Sequence, residues 1–187
     1  MKELSLHILD IIQNSITAKS SLINIKIIED LINDILIVEI IDNGIGMDEE
    51  LLEKVLDPFV TTRTTRKIGL GLPLFQALAI QCDGDFKISS KVGQGTNIVA
   101  SFKYSHIDRP PLGNMADTLI TCIMADGNID YYYEHYYYDE HYYAKNKFIF
   151  DTRKVKEKIG ELPITDILVI NWLKEYFKEN LCVLVKR

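Results

Sequence analysis

Apolar side chains cover most of the helical circumference of residues 4–19 (Leu4, Leu6, Ile8, Leu9, Ile11, Ile12 and Ile16), which predicts a buried helix. Its polar interruptions, His7, Asp10 and Asn14, are spaced three and four apart and so share one face. Two stretches rich in β-branched residues follow, at 23–29 and 35–42, and predict strands. Asp30-Leu31-Ile32-Asn33-Asp34 between them reads as a hairpin loop. Asp42-Asn43-Gly44 ends the second strand in a turn. Asp48 is placed to cap a short helix ending near Leu56, and Asp57-Pro58-Phe59 closes it, because proline disfavours helical geometry in the residue before it. Residues 60–68 are rich in Thr and Arg without a period and read as a loop. A second buried helix is expected at 72–81, with Pro73 in its first turn, where a missing N–H does no harm. Strands at 86–90 and 97–104 are joined through Gly93-Gln94-Gly95.

Residues 105–113, with Pro110-Pro111 inside them, form the clearest boundary in the chain. The expected organisation is therefore a domain over 1–104, a linker over 105–113, and a small α+β module over 114–187. In that module the pattern predicts a helix at 115–125, a hairpin at 129–151, a short helix after Asp151 and a last helix at 166–180. Eight of the ten tyrosines fall between Tyr131 and Tyr143, which suits a strand hairpin with an aromatic face or a partner-docking surface. His135 and His141 lie in the same tract without a recognised metal spacing. Ile167, Val169, Ile170, Trp172, Leu173, Tyr176 and Phe177 are read as core positions of the last helix.

Composition narrows the possibilities. With 187 residues, 47% apolar and 26% charged, the chain has the make-up of an ordinary globular protein. A net charge of −6, spread over both halves, argues against a general nucleic-acid or anionic-membrane binder. Three distant cysteines suggest neither a disulfide framework nor a zinc site, and no apolar run is long enough to span a membrane. A cytoplasmic location is expected.

Four motifs carry candidate chemistry. Asp10 and Asn14 are one helical turn apart: the carboxamide oxygen is a suitable hard ligand for Mg²⁺, and the carboxylate could polarise a water. A buried, hydrogen-bonded pair would explain the same spacing. Asp42-Asn43-Gly44-Ile45-Gly46 offers a carboxylate to a base's exocyclic amine and glycines for close backbone approach, although Asn-Gly is also an ordinary turn signal. Gly69-Leu70-Gly71-Leu72 opens a helix directly after Arg63, Arg66 and Lys67, a combination that fits phosphates. Gly93-Gln94-Gly95-Thr96 makes a tight turn into a strand.

Taken in order, these boxes resemble the Bergerat ATP-binding fold of the GHKL superfamily (gyrase, heat-shock chaperone, histidine kinase, MutL), an α/β two-layer sandwich with a mixed sheet and helices on one face. The resemblance covers residues 1–104. It implies that Asn14 ligates Mg²⁺, that Asp42 binds the adenine amine, and that Gly44 and Gly46 line the base pocket. It further implies that Gly69 and Gly71 cradle phosphates and that Thr96 supports the adenine side through a water. The implied ATP-binding set also takes in Met47, Arg63, Arg66, Lys67, Leu70 and Leu72, with Asp10 as the catalytic carboxylate. Asn14-Ser15-Ile16-Thr17-Ala18 is similar to the Asn-Ser-x-Asp-Ala run of MutL and gyrase proteins. Asp57-Pro58-Phe59-Val60-Thr61-Thr62 and Gly69-Leu70-Gly71-Leu72 are similar to histidine kinase boxes. Two departures stand out: Asp10 where the hydrolytic branch usually has Glu, and Thr17 for the family Asp.

With no helical hairpin ahead of the first box, a complete histidine kinase is not expected. The chain as a whole resembles small stand-alone ATPase-domain proteins of fermentative bacteria, through Ser105-His106-Ile107-Asp108-Arg109-Pro110-Pro111 among other segments. The resemblance implies Mg²⁺-ATP binding with slow hydrolysis as a conformational switch. Alternatives are a kinase acting in trans and a non-catalytic nucleotide sensor. A protein partner, such as a redox enzyme subunit, would dock through residues 105–187, and residues 60–71 would be the moving lid.

Overall fold

The computed structural model describes residues 2–56, 71–139 and 142–185. The elements run α1 (Leu4–Thr17), β1 (Leu22–Asp30), β2 (Ile35–Asp42), α2 (Glu49–Lys54), α3 (Gly71–Gln81), β3 (Phe86–Lys91), β4 (Gly95–Lys103), α4 (Met115–Ala125), β5 (Asp130–Asp139), β6 (Tyr142–Asp151), α5 (Thr152–Ile159) and α6 (Ile167–Val185). The six strands form one sheet in the order β3-β4-β2-β1-β5-β6. Every neighbouring pair is antiparallel except β1 and β5.

Local chemistry accounts for the turns. In the β1–β2 hairpin, Asp30 Oδ1 accepts from the N–H groups of Ile32 and Asn33, and Asp34 takes a φ of 54° to reverse the chain. Asp48 caps α2 by accepting from Leu51 N at 2.8 Å. The first two N–H groups of α1 are satisfied from far along the sequence: Leu4 N donates to Pro111 O and Ser5 N to Leu112 O. The Pro-Pro segment thus lies across the start of α1 and supplies acceptors that a helix N-terminus needs.

Strand alternation divides the sheet into two faces. On one face Ile23, Ile25 and Ile27 of β1, Leu36, Val38 and Ile40 of β2, Ala100 and Phe102 of β4, and Tyr131 and Tyr133 of β5 are buried. Ile8, Ile11 and Ile12 of α1, Phe75 of α3, Leu119 of α4 and Phe177 of α6 join them in one continuous core. The opposite face carries Asn24, Lys26, Glu39, Ile41, Tyr132, Glu134 and Tyr136 in half-buried or exposed positions. This is a mixed-sheet α/β two-layer sandwich.

Residues beyond 113 do not build a sheet of their own. Their hairpin adds to β1 in parallel over nine residue pairs, from Leu22↔Asp130 to Asp30↔Tyr138. The expected aromatic hairpin is present, but its rings serve both faces: Tyr131, Tyr133 and Tyr137 enter the core, while Tyr132, Tyr136 and Tyr138 stand opposite. The last helix differs from expectation as well. Val169, Ile170, Leu173 and Phe177 are buried, but Ile167 and Trp172 are exposed, because a stripe at three- and four-residue spacing excludes them.

A buried polar network stitches the joint between β1 and β5. His135 Nε2 meets Glu29 Oε1 at 2.9 Å, and its Nδ1 meets the Tyr133 hydroxyl at 3.0 Å. Since a carboxylate only accepts, Nε2 carries the proton and Nδ1 accepts from Tyr133. Burial above all, and then the charge of the Glu29 carboxylate, push the Tyr104 hydroxyl up to about 12. His135 is therefore a core residue with both nitrogens used. His141 lies outside the described residues.

Candidate nucleotide site

The polar end of this core gathers the motifs. Asp42, the last residue of β2, points to the helical side and is 6% exposed. Its Oδ2 accepts from Ser15 Oγ of α1 at 2.8 Å, and its Oδ1 accepts from Gly44 N at 2.8 Å and Ser20 Oγ at 3.1 Å. Asn43 holds the strand ends together, with its Oδ1 accepting from Ser21 N and Leu22 N.

Gly46 and Gly95 lock the turns that follow. Gly46 has a φ of 66° and Gly95 of 93°, and a Cβ on them would collide with the carbonyls of Lys91 and Asp42 respectively. Only glycine combines such dihedrals with so close an approach. The same packing brings Thr96 opposite Asp42 in the β2–β4 register. Thr96 Oγ1 lies 2.9 Å from Ser90 Oγ, which also accepts from Met47 N at 2.9 Å. Asp42, Gly44, Gly46, Met47 and Thr96 thus form one connected cluster.

α1 carries the remaining carboxylate and carboxamide. Asp10 is exposed and Asn14 half-buried on the same side of the helix. Gly71, the first residue of α3, abuts Asp10: a Cβ there would stand 3.3 Å from Asp10 Cβ. Leu72 is buried beneath it. The N-terminus of α3 and the Asp10–Asn14 face are therefore brought together across the junction of two helices. His7, one turn earlier, is 5% exposed and stacks on Phe75 at 5.7 Å. Burial above all holds its pKa below the ordinary value. Its place is inside the α1–α3 contact.

Arg63, Arg66, Lys67, Gly69 and Leu70, and with them all of the lid expected at 60–71 except Gly71, lie outside the described residues. Ser15, Ser20 and Ser90 emerge as members that motif spacing did not single out. Serines near a helix end ordinarily read as caps, and only the fold shows that two of these reach a strand carboxylate.

Residues 2–106 match the family described as Histidine kinase-, DNA gyrase B-, and HSP90-like ATPase. The chain belongs to that family. Among its relatives, the autoinducer 2 sensor kinase/phosphatase LuxQ of Vibrio parahaemolyticus is 38% identical over 82 residues, covering 41% of this chain and 10% of that protein. Sporulation kinase D of Bacillus subtilis is 32% identical over 69 residues, covering 37% of this chain and 13% of that protein. The chain thus spans only about a tenth of the length of these kinases. Two solved structures share the fold. The N-terminal domain of a DNA repair protein aligns with a TM-score of 0.53 at 14% identity over 80% of this chain and 52% of that one. The Aquifex aeolicus MutL ATPase domain complexed with ADP aligns with a TM-score of 0.50 at 13% identity over 78% of this chain and 63% of that one. Both shares exceed what residues 2–106 alone could supply, so the fold likeness extends into the portion after the Pro-Pro segment.

Proposed function

We propose that this member of the ATPase family binds Mg²⁺-ATP, hydrolyses it slowly, and uses the bound nucleotide as a conformational switch. The observation that carries the reading is the buried Asp42 carboxylate, fixed from both sides at the point where the glycine turns meet. Asp42 would accept from the exocyclic amine of adenine, with Gly44, Gly46 and Met47 beside the base and Thr96 supporting it. Gly71 and Leu72 would face the phosphates from the N-terminus of α3, where free N–H groups favour an anion. Arg63, Arg66, Lys67, Gly69 and Leu70 would complete that side.

The donor set fits Mg²⁺ held mainly by phosphates. Among the described residues no cluster of three His, Cys, Asp or Glu could cage a metal, and Mg²⁺ keeps waters and takes one or two protein oxygens. Asn14 would supply one such oxygen, and the ion would neutralise phosphate charge. Asp10, one turn away and exposed beside Gly71, would accept a proton from a water as that water's oxygen attacks the γ-phosphorus and the bond to the β-phosphate oxygen breaks. Its side chain is one methylene shorter than Glu, which supports slow turnover. A cytoplasmic protein partner of residues 105–187, such as a redox enzyme subunit, would read the switch.

The names of the sensor-kinase relatives favour a second reading, phosphoryl transfer to a partner in trans. Asp10→Asn separates the possibilities. Hydrolysis with Asp10 as base predicts a fall in phosphate release of about two orders of magnitude with nucleotide affinity little changed. Wild-type protein that releases no phosphate, yet passes label from γ-labelled ATP to a partner, would replace the hydrolysis reading with the kinase one.

A further inference from the structure

We infer that Ser15 and Ser20 are positioning residues that set base specificity, acting through Asp42; this rests on the reading that Asp42 meets the base. Both serines are almost fully buried, at 3% and 4% exposure, and both hydroxyls are spent on this corner of the fold. They arrive from one local device. Helix α1 ends at Thr17, and Lys19 takes a φ of 58°, so the chain doubles back. Ser20 then lies against the last turn, with its N–H donating to Ser15 O at 3.2 Å and its Oγ reaching that same carbonyl at 2.8 Å. From there the Ser20 hydroxyl also touches Asp42 Oδ1, while Ser15 Oγ donates to Asp42 Oδ2.

The two oxygens of Asp42 are consequently unequal. Oδ1 takes Gly44 N–H and a share of the single Ser20 hydroxyl proton, which also reaches Ser15 O, whereas Oδ2 takes Ser15 O–H alone. Oδ2 is the oxygen left with a lone pair for a ligand. Gripped on both sides, the carboxylate cannot turn about its last bond without losing a donor, so the lone pair stays where it is aimed. A fixed acceptor bonds a 6-amino group and repels a 6-carbonyl oxygen. If the grip is loosened, the carboxylate can swing aside and let water separate it from a carbonyl. The serines thereby enforce rejection of 6-oxo purines as well as acceptance of the 6-amino purine.

The test measures dissociation constants by calorimetry for ATP, inosine triphosphate and the triphosphate of unsubstituted purine riboside. Wild type, Ser15→Ala, Ser20→Ala and a distant control, Ser105→Ala, whose hydroxyl bonds Asp34, are compared. Wild type should prefer ATP over inosine triphosphate. That ratio should fall about tenfold in Ser15→Ala, the scale of one hydrogen bond to a charged group, fall less in Ser20→Ala, whose proton is shared, and stay unchanged in the control. A folded variant that weakens both nucleotides equally would overturn the inference and leave nucleotide binding intact. Wild type that binds none of the three would overturn the nucleotide reading itself. Should the alanine variants fail to fold, Ser15→Cys and Ser20→Cys, which keep the size but donate weakly, take their place, and an unchanged ratio in both would overturn the inference. Purine riboside triphosphate, with nothing to donate or to be repelled, must bind between ATP and inosine triphosphate; binding no tighter than inosine triphosphate would refute the repulsion.

Discussion

Removing either partner of the Glu29–His135 pair should destabilise the fold far more than removing both would lead one to expect from simple addition. His135 is 3% exposed and Glu29 6%, and they meet at 2.9 Å. His135→Leu leaves the buried Glu29 carboxylate without the N–H that bonds it and adds apolar surface around it. Stripping a buried carboxylate of its partner costs about 3–5 kcal/mol, because its charge stays buried without compensation. For a chain of this size that corresponds to a fall in Tm of roughly 6–20 °C. Glu29→Leu leaves an imidazole N–H without its acceptor and should cost about 1–3 kcal/mol. The double variant removes the carboxylate together with the imidazole and strands the Tyr133 hydroxyl. Its cost should therefore fall short of the sum by about 1–3 kcal/mol. Urea unfolding of the four proteins, read by circular dichroism with m-values compared, measures the coupling. Nucleotide affinity should be preserved, since Glu29 stands six residues along β1 from Ile23, the partner of Asp42 in the register, or about 20 Å. Additivity within about 0.5 kcal/mol would refute the argument, because the two groups would then be independently solvated.

Two further outcomes follow from burial. His7 has a folded-state pKa below the ordinary 6.5, so the unfolded chain binds its proton more readily, and stability is lost as pH falls through 6.5 and below. His7→Leu should accordingly narrow the difference in urea midpoint between pH 8 and pH 5; an unchanged difference would mean that the ring is solvated. Cys122 is pushed up to about 12 by burial, and Cys82 is also raised, chiefly by burial. In a Cys182→Ser background a thiol reagent at pH 8 should label neither until urea is added, and fast native labelling of Cys122 would contradict its placement.

What the sequence made legible is local. The elements up to Lys103 follow from period and punctuation, and the turn after β2 could be read from Asp42-Asn43-Gly44, because capping, turn geometry and strand alternation are decided within a few residues. Asp10 and Asn14 share a face by helical arithmetic alone. The joining of β5 to β1 could not be read in this way, since a parallel pairing reached through a helix leaves no turn signature at either strand. The Glu29–His135 pair is separated by 106 positions, and each partner looks like an ordinary polar residue in a strand. Ser15 and Ser20 were hidden for another reason: hydroxyls have many uses near a helix end, and only the reversal at Lys19 selects one.

The parallel docking of β5 bears on where this protein can be cut. A fragment ending at residue 106 would retain all four motifs, yet it would turn β1 from an interior strand into an outer one. Nine residues, Leu22-Ile23-Asn24-Ile25-Lys26-Ile27-Ile28-Glu29-Asp30, would then present a row of unpaired backbone groups to solvent, with Lys26 as the only cation to discourage another chain from pairing there. Leu4 and Ser5 would lose their acceptors at the same stroke. The stretch that carries the family likeness is thus shorter than the stretch that keeps β1 covered, and the hairpin beyond the Pro-Pro segment acts as a selvedge on the sheet that ends at the Asp42 corner.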